Sequence, residues 1–264
     1  MRRFSAEYLA YAREGLWEGE RAALEPLALP DQDAVLDAGA GSGEFTRVLR
    51  EEAGPDATVL AADADRDLLA DAPPPRLAAD ATRLPLRDGA VDLVACQALL
   101  VNLPDPAAAV EAFARVASDR VACVEPDNAA VAVRSTVDVE APLARRVREA
   151  YLSGVETDVA LGDASDLFRA AGLVDVETRE VHHTRVTEPP YGAAAVEAAR
   201  RKARGDRIDA VAETLAAGGL SGEELSAVAA DWRAMGRTAV EQMAAERYRR
   251  AEVVPYHVTV GRVP

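Results

Sequence analysis

The stretch that decides the fold is Val35-Leu36-Asp37-Ala38-Gly39-Ala40-Gly41-Ser42-Gly43-Glu44. A short apolar run ends at an acid, three alternating glycines follow, and a helical pattern begins, which predicts a strand, a tight turn and the start of a helix. Glycine reaches positive φ and lets the backbone approach a ligand because it has no Cβ. The helix start offers free N–H groups and the positive end of its dipole to an anionic or polar group. The turn therefore predicts a ligand site.

The spacing of the glycines narrows the choice of ligand. A dinucleotide-binding turn has the pattern G-x-G-x-x-G, and counted from Gly39 its last position falls on Glu44, a carboxylate where a pyrophosphate would lie. A P-loop needs Gly-Lys-Ser/Thr, yet the one lysine of the chain is Lys202. The pattern thus disfavours a nicotinamide oxidoreductase and a P-loop protein. A tight turn without any ligand is the plain alternative.

Further strands follow, and each is followed by a polar residue. Strands and helices alternate from residue 33 to about 125, which predicts a parallel sheet with helices on both faces. The polar residues at or just after the strand ends are Asp37, Asp63, Asp80, Gln97 and Glu125. Ligands of such sheets bind beyond the carboxyl ends of the strands, so we expect these side chains to line one site.

In these motifs the chain resembles the class I S-adenosylmethionine-dependent methyltransferases, and most closely their small-molecule and quinone-type group. The resemblance covers residues 30–127 well and the remainder by topology only. It implies an α/β fold with a Rossmann-like, doubly wound, mostly parallel seven-stranded sheet. The last strand, at residues 253–260, would be antiparallel and inserted beside the sixth, at residues 174–186.

The resemblance also implies S-adenosylmethionine as the cofactor and gives the residues that would bind it. Asp63 would hold the ribose hydroxyls, whereas the plain alternative is a helix N-cap by Asp63 or Asp65. Asp80 and Ala81 would contact the adenine. A leading helix would close over the methionine end of the cofactor, with Arg13 clamping its carboxylate; the plain alternative is an amphipathic helix packed on the sheet. The candidate cofactor-binding residues are Arg13, Asp37, Gly39, Ala40, Gly41, Gly43, Asp63, Ala64, Asp80, Ala81 and Gln97.

The chain is expected to form one methyltransferase domain over residues 1–264. Its predicted parts are an N-terminal helical cap at 1–29, a cofactor-binding core at 30–187, a helical insertion at 188–250 and the last strand at 251–264. Helical periodicity is found at 5–29, 136–152, 164–171, 193–204, 207–217 and 221–249. The insertion predicts either a lid over the acceptor pocket or the surface of a homodimer.

The sequence does not determine which residues are catalytic. In-line methyl transfer depends mainly on positioning, and a base is needed only if the acceptor must lose a proton. The candidates for that base are His182, His183 and Glu125, with His257 on the last strand as a further one. His182 and His183 are adjacent in a strand and point to opposite faces, so at most one can face a pocket. A satisfied core or surface histidine is the plain alternative.

A metal is not expected at this site. The pair Asp127-Asn128 after the fifth strand resembles the Asp-Asn pair of magnesium-dependent catechol-type methyltransferases. Those enzymes carry another aspartate at the end of strand four, where this chain has Cys96-Gln97. The Asn-Pro-Pro-Tyr style of signature of the nucleobase N-methyltransferases is also missing at residues 102–105.

Charge and composition favour a small-molecule acceptor. The chain has 45 acidic and 30 basic residues, a net charge of −15, which repels nucleic acid. Acidity together with a single lysine is typical of halophilic proteins, since concentrated salt screens surface charges. With no apolar run long enough for a membrane span and two cysteines that look like free thiols, we expect a cytoplasmic enzyme. The alternative is a non-catalytic S-adenosylmethionine-binding or assembly module with the same fold.

Overall fold

The computed structural model describes residues 16–17, 19, 21–155, 157 and 161–264. The strands are β1 Ala34–Ala38, β2 Thr58–Asp63, β3 Arg76–Ala78, β4 Val91–Gln97, β5 Ala117–Pro126, β6 Ala132–Ser135, β7 Val174–Thr187 and β8 Arg250–Arg262. The α-helices are α1 Glu44–Glu52, α2 Arg66–Leu69, α3 Pro106–Val116, α4 Glu140–Gly154, α5 Ser165–Ala170, α6 Ala193–Arg204, α7 Asp206–Ala210, α8 Ala212–Ala217 and α9 Gly222–Ala244. Short 3-10 helices lie at Arg21–Leu27, Leu29–Asp31, Ala81–Arg83 and Leu100–Asn102.

The chain divides into two compact units. The first unit holds the described residues up to Asp127, with Leu161–Val181 and Pro255–Pro264; the second unit holds the described residues of Asn128–Ala160 and His182–Val254. Beyond the predicted insertion at 188–250, the second unit therefore includes α4 and β6. The division into cap, core, insertion and last strand of one domain stays a prediction.

The sheet of the first unit is parallel in the order β3-β2-β1-β4-β5. Residues 256–262 of β8 run antiparallel to residues 120–126 of β5. On the other edge β8 pairs with β7, where the hydroxyls of Thr178 and Thr259 lie 3.1 Å apart. The predicted α/β fold, with an antiparallel last strand beside the preceding long strand, is confirmed.

Burial explains why these segments form strands and covering helices. Val35 and Leu36 of β1 are fully buried, as expected for a central strand that is covered on both faces. Helix α3 begins where the Asp105 carboxylate accepts a hydrogen bond from the Ala108 N–H (3.0 Å), with Pro106 at its first position. Phe113 of α3 is fully buried in the core that this helix forms with the sheet.

Helices dominate the second unit. Its core includes Val147, Ile208, Leu215, Trp232 and Met235. Helix α9 begins with a capping box in which the side chains of Ser221 and Glu224 bind each other's backbone N–H. Strand β6 pairs antiparallel with the first residues of β8, from Ala132 opposite Val253 to Ser135 opposite Arg250.

Several boundaries differ from the sequence-based expectations. Eight strands, rather than seven, are present in the described residues, because β6 is an additional short strand. The helix expected at 207–217 is split at Val211, and the helix expected up to residue 249 ends at Ala244, so that β8 begins at Arg250. Of the leading helix predicted at 5–29, Arg21–Leu27 is a 3-10 helix, and residues 5–15, 18 and 20 lie outside the described part of the chain.

None of the helices in the described residues combines the length and the apolar character that a membrane span requires.

Candidate functional site

Polar side chains lie at the carboxyl ends of four parallel strands of the first unit. Asp37, Asp63, Gln97 and Glu125 belong to β1, β2, β4 and β5, and Asp80 follows β3 by two residues. The parallel register of these strands brings their ends to one edge of the sheet. This edge, together with the glycine turn after β1, is the candidate site.

The glycine turn has the conformation that its sequence predicts. Gly39, Gly41 and Gly43 have φ of +72°, +56° and +84°, values that side chains disfavour. A Cβ on Gly39 would lie 2.6 Å from Leu99 Cδ1, and one on Gly43 would lie 2.5 Å from Pro73 Cδ. Packing within the protein therefore requires Gly43, whereas the atoms nearest Gly39 belong to a Leu99 side chain that can move. Ala40, between them, is buried.

Asp63 ties the glycine turn to the end of β2. Its Oδ2 accepts a hydrogen bond from the Gly41 N–H (2.8 Å) and its Oδ1 one from the Asp65 N–H (2.7 Å). The N-cap of α2 is Asp65, which accepts from the N–H groups of Asp67 and Leu68. Of the alternative of an N-cap by Asp63 or Asp65, the cap by Asp65 is therefore confirmed and the cap by Asp63 is wrong. The carboxylate of Asp63 stays half-buried and keeps lone pairs for further donors, while the next residue, Ala64, is exposed.

Asp37 is held by a residue that the sequence analysis missed. Its Oδ2 accepts a hydrogen bond of 2.5 Å from the hydroxyl of Thr46 on α1, and both residues are buried. The missed signal was Thr46 itself, a polar residue beside Phe45 on the buried face of α1. The bond fixes the carboxylate at the end of β1 relative to the helix that the glycines introduce.

Gln97 binds a tryptophan from the N-terminal part of the chain. The indole N–H of Trp17 donates to Gln97 Oε1 (3.0 Å), and its ring stacks on Phe45 with centroids 5.8 Å apart and an angle of 23° between the planes. Trp17 is thereby an additional residue of the candidate site. Arg13, predicted to clamp the methionine carboxylate, lies outside the described residues.

Asp80 and Ala81 lie at a short turn after β3. The Asp80 carboxylate accepts from the backbone N–H (2.9 Å) and the hydroxyl (2.8 Å) of Thr82. These two bonds lower the pKa of Asp80, and the bond from the backbone N–H has the larger effect. Asp80 is exposed and Ala81 is buried. Their contact with adenine stays a prediction.

The carboxylate of Glu125 is bound by backbone N–H groups. It is completely buried, and its carboxylate accepts from the N–H groups of Leu99 and Leu100 (both 3.0 Å) and Val101 (3.2 Å). These bonds hold the segment after β4, whose Leu99 packs against Gly39. A carboxylate committed to three backbone donors favours a positioning function for Glu125 over proton transfer.

The histidines are divided between the two units. His182 is exposed and His183 is buried, on β7 within the second unit. Burial, and then the charge of Arg185, lower the pKa of His183. In the first unit His257 Nε2 lies 3.2 Å from the carboxylate of Glu180. A catalytic function of any of them stays a prediction.

In the residues that the structure describes, no group of three or more His, Cys, Asp or Glu side chains is arranged to hold a metal ion. Cys96 and Cys123 are free and buried, and burial raises the pKa of both thiols.

Comparisons with known proteins match the same part of the chain. Residues 36–124 match the sequence profile of the family described as Methyltransferase domain. Over 111 residues the chain is 38% identical to a demethylmenaquinone methyltransferase of Mycolicibacterium vanbaalenii. That match covers 41% of this chain and 46% of the relative, so the chain matches less than half the length of this curated protein.

Two solved structures resemble the whole chain. A protein of Bacillus halodurans, provisionally assigned as a methyltransferase, is 16% identical with a TM-score of 0.53, over 93% of this chain and 99% of that one. A chain from the complex of the Haloferax volcanii Trm112 methyltransferase activator with a provisionally assigned methyltransferase is 18% identical with a TM-score of 0.50, over 98% and 95% of the two chains. At these identities the likeness establishes the fold alone.

Proposed function

We propose that this chain, whose residues 36–124 match the family described as Methyltransferase domain, is an S-adenosylmethionine-dependent methyltransferase. The observation that carries the proposal is the bond between the Gly41 N–H and Asp63, which joins a positive-φ glycine turn to a half-buried carboxylate at one sheet edge. A turn with this geometry suits a ligand that needs close backbone approach and carries a pair of hydroxyls.

The residues at the sheet edge fit the parts of S-adenosylmethionine. Asp63 would accept hydrogen bonds from the ribose hydroxyls, and Asp80 with the Ala81 N–H would recognise the amino group and a ring nitrogen of adenine. Asp37 and Gln97 would lie toward the methionine end, where the Asp37 carboxylate suits a sulfonium and an ammonium and the neutral Gln97 amide offers hydrogen bonds. When bound, the cofactor supplies an electrophilic methyl group on a positively charged sulfur.

The chain's own contribution to the reaction is positioning. Asp37 is fixed by Thr46, and Gln97 by Trp17, so the groups around the methionine end are preorganised. Holding the acceptor atom, methyl and sulfur in line can supply about 7 to 11 kcal/mol of the barrier. A base is needed only for an acceptor that must lose a proton. His257 beside Glu180 would then be a candidate within the first unit.

A small molecule is the proposed acceptor. The net charge of −15 opposes binding to phosphate backbones. The similar protein of Mycolicibacterium vanbaalenii is named for demethylmenaquinone, a small molecule, and supports this class. A cytoplasmic location and a homodimer through residues 188–250 are further proposals. Sedimentation tests the dimer by comparing the molecular mass of the full chain with that of a variant carrying charged substitutions on the insertion.

Calorimetric titration with S-adenosylhomocysteine tests the cofactor site. We expect micromolar binding, at least tenfold weaker in Asp63→Ala and lost in Gly41→Arg, because the first removes the ribose acceptor and the second puts a large side chain on a positive-φ turn. Asp67→Ala, an exposed carboxylate on α2, is the charge-matched control and should bind like the natural chain. Unchanged binding in both site variants would refute the site.

A separate measurement distinguishes the enzyme from a non-catalytic binding module. The chain is incubated with S-adenosylmethionine carrying a labelled methyl group and a panel of quinol, phenol and amine acceptors. An enzyme transfers the label to at least one class of acceptor and releases S-adenosylhomocysteine. Tight cofactor binding without transfer to any of them would favour the binding module.

A further inference from the structure

His257 lies on the last strand of the first unit, next to the edge of the sheet that forms the candidate site. Its Cα is opposite that of Glu125, close to the carboxyl end of β5. Opposite residues of an antiparallel pair direct their side chains to the same face, with Cβ atoms about 4.5–5.5 Å apart. The side chain of Glu125 reaches the segment after β4, so the imidazole of His257 is adjacent to the edge that is proposed to bind the cofactor.

A carboxylate of β7 determines which nitrogen of His257 carries the hydrogen. The Nε2 of His257 lies 3.2 Å from Oε2 of Glu180. Because a carboxylate can only accept, Nε2–H is the donor and Nδ1 keeps its lone pair. Two residues away on the same face, the hydroxyls of Thr178 and Thr259 lie 3.1 Å apart, and Thr178 also donates to Asp163 (3.0 Å). These bonds hold β7 and β8 in the register that the pair of Glu180 and His257 requires.

The Nδ1 of His257 is buried and has no hydrogen-bond partner within the described part of the chain. Its neighbour is Gly162, which has a φ of +52°. A Cβ on Gly162 would lie 2.7 Å from Nδ1, so a glycine here keeps the lone pair clear of any side chain. The segment of Gly162, residues 161–164, has no regular secondary structure. A buried acceptor without a donor is costly, so this position favours a donor from outside the chain.

We propose that His257 accepts the proton of a phenol or quinol hydroxyl at Nδ1 during methyl transfer, and that Glu180 is its positioning residue. The inference rests on the proposed methyltransferase function and names the class of its acceptor. A neutral amine attacks with its own lone pair, whereas a phenol hydroxyl becomes a strong nucleophile only when it loses its proton. The acceptor reaches Nδ1 when residues 161–164 move aside, as loops at active sites do on substrate binding.

The hydroxyl proton and the charge are both accounted for in this step. As the proton moves to Nδ1, the hydroxyl oxygen forms a bond to the methyl carbon and the sulfur–carbon bond breaks, with its electron pair left on sulfur. Sulfur becomes neutral, and the positive charge is then on the imidazolium, whose Nε2–H faces Glu180 (3.2 Å). The carboxylate stabilises this cation, and the proton later passes to solvent.

Nitrogen NMR of the full chain with isotope-labelled histidine tests the arrangement without any methyl transfer. In mildly alkaline buffer, where imidazole is neutral, we expect His257 in the Nε2–H form; its signals are those that disappear in His257→Asn. Adding p-cresol together with S-adenosylhomocysteine should move the Nδ1 signal toward that of a protonated nitrogen. The Nδ1–H form in the natural chain, or an Nδ1 signal that p-cresol does not move, would overturn the proposal.

The positioning function of Glu180 is tested in the same spectra. Glu180→Gln should give a mixture of the two tautomers of His257, because an amide can either accept from Nε2 or donate to it. Glu177→Gln, which changes an exposed glutamate of the same strand, is the matched control and should leave the signals of His257 unchanged. Equal spectra of Glu180→Gln and Glu177→Gln would show that Glu180 does not set the tautomer.

Initial rates of label transfer to p-cresol, hydroquinone and benzylamine test the function of His257 in the reaction. We expect transfer to the two hydroxyl acceptors, with kcat lower by about a hundredfold or more in His257→Asn, lower by a smaller factor in Glu180→Gln and unchanged in Glu177→Gln. The affinity for S-adenosylhomocysteine should stay the same in all three variants, which also shows that they fold.

The failure of this inference and that of the proposed function are distinguishable. Equal values of kcat in His257→Asn and the natural chain, or transfer to benzylamine alone, would overturn the inference and leave the methyltransferase function in place. Cofactor binding without transfer to any acceptor would overturn the inference and favour the binding module. A natural chain that does not bind S-adenosylhomocysteine would refute the proposed function, and the inference with it.

Discussion

Single residues at the sheet edge divide into those that keep hydrogen-bonding capacity for a ligand and those that hold the edge together. Asp63 binds only two backbone N–H groups and remains half-buried. Glu125 binds three such groups and is completely enclosed. Both are acids near the ends of buried strands, so the sequence pattern does not distinguish them. They differ in the number of hydrogen bonds that each accepts from backbone N–H groups.

Glu125→Gln is expected to destabilise the protein by about 2 kcal/mol. The amide would place two N–H donors where backbone N–H groups already point, leaving buried donors without acceptors. Urea unfolding at neutral pH measures the loss. Glu111→Gln, an exposed glutamate on α3, is the control for the change of charge. A variant with normal stability but abolished methyl transfer would instead make Glu125 a catalytic base.

The positions of these residues at the ends of strands were predictable from the sequence, but their hydrogen-bonding and packing partners were not. The glycines, Asp63 and Gln97 stand at fixed positions relative to apolar runs, and these runs reveal strand ends. Thr46 and Trp17 reach the site only through the packing of α1 and the N-terminal segment on the sheet. Such contacts join residues 9 and 80 positions apart, and no local pattern carries them.

At the scale of elements, long periodic segments were predicted well and short or interrupted ones were not. The helix expected at 193–204 has those same bounds in α6. Strand β6 has only four residues, too few for an alternating pattern to stand out, and it is stabilised by pairing with β8. The break at Val211, with φ of −117°, lies inside a segment whose apolar spacing is helical throughout. The pairing with β8 therefore determines that β6 is a strand, and the backbone conformation at Val211 determines where the helix breaks; local sequence propensity predicts neither.

Ion pairs of Glu140 with Lys202 and Arg250 join α4, α6 and β8 in a charged network that makes the second unit sensitive to acid. Burial alone would raise the pKa of Glu252, but Arg250 and then Arg185 outweigh it and lower the pKa to about 2. A lowered carboxyl pKa adds stability that is complete above the unfolded value of about 4.3 and is lost as the pH falls through the folded value. Glu140 contributes to stability in the same direction, because burial would raise its pKa but Lys202 outweighs burial and lowers it.

We therefore expect the second unit to unfold as the pH falls from about 4.3 toward 2. Fluorescence of Trp232, which is buried in this unit, reports the transition in a Trp17→Phe background. Glu252→Gln should lower stability at neutral pH and flatten its dependence on pH in this range, since the titrating group is gone. An acid transition of the same steepness in Glu252→Gln would contradict the assignment.

At the scale of the whole molecule, two electrostatic effects respond to salt in opposite directions. Exposed pairs such as Arg169 with Asp166 (3.0 Å) and Arg204 with Asp206 (2.8 Å) are individually weak and are weakened further by screening. The excess of 15 negative charges repels itself in the folded state, and screening relieves this repulsion. We expect relief of the repulsion to have the larger effect on stability, because the net charge acts over longer distances than exposed ion pairs, which are local and nearly neutral.

The melting temperature should accordingly rise with salt, by about 5 °C or more between 0.1 M and 2 M KCl, as the screening length falls from about 10 Å to below 3 Å. Differential scanning calorimetry of the full chain measures it. Sucrose at matched osmolality is the control for preferential exclusion, and it should produce a smaller rise because it screens no charge. If the two additives raise the melting temperature equally, repulsion among the surface acids is not what limits stability at low salt. A flat melting temperature across the KCl series would contradict the halophilic character predicted from the acidic composition.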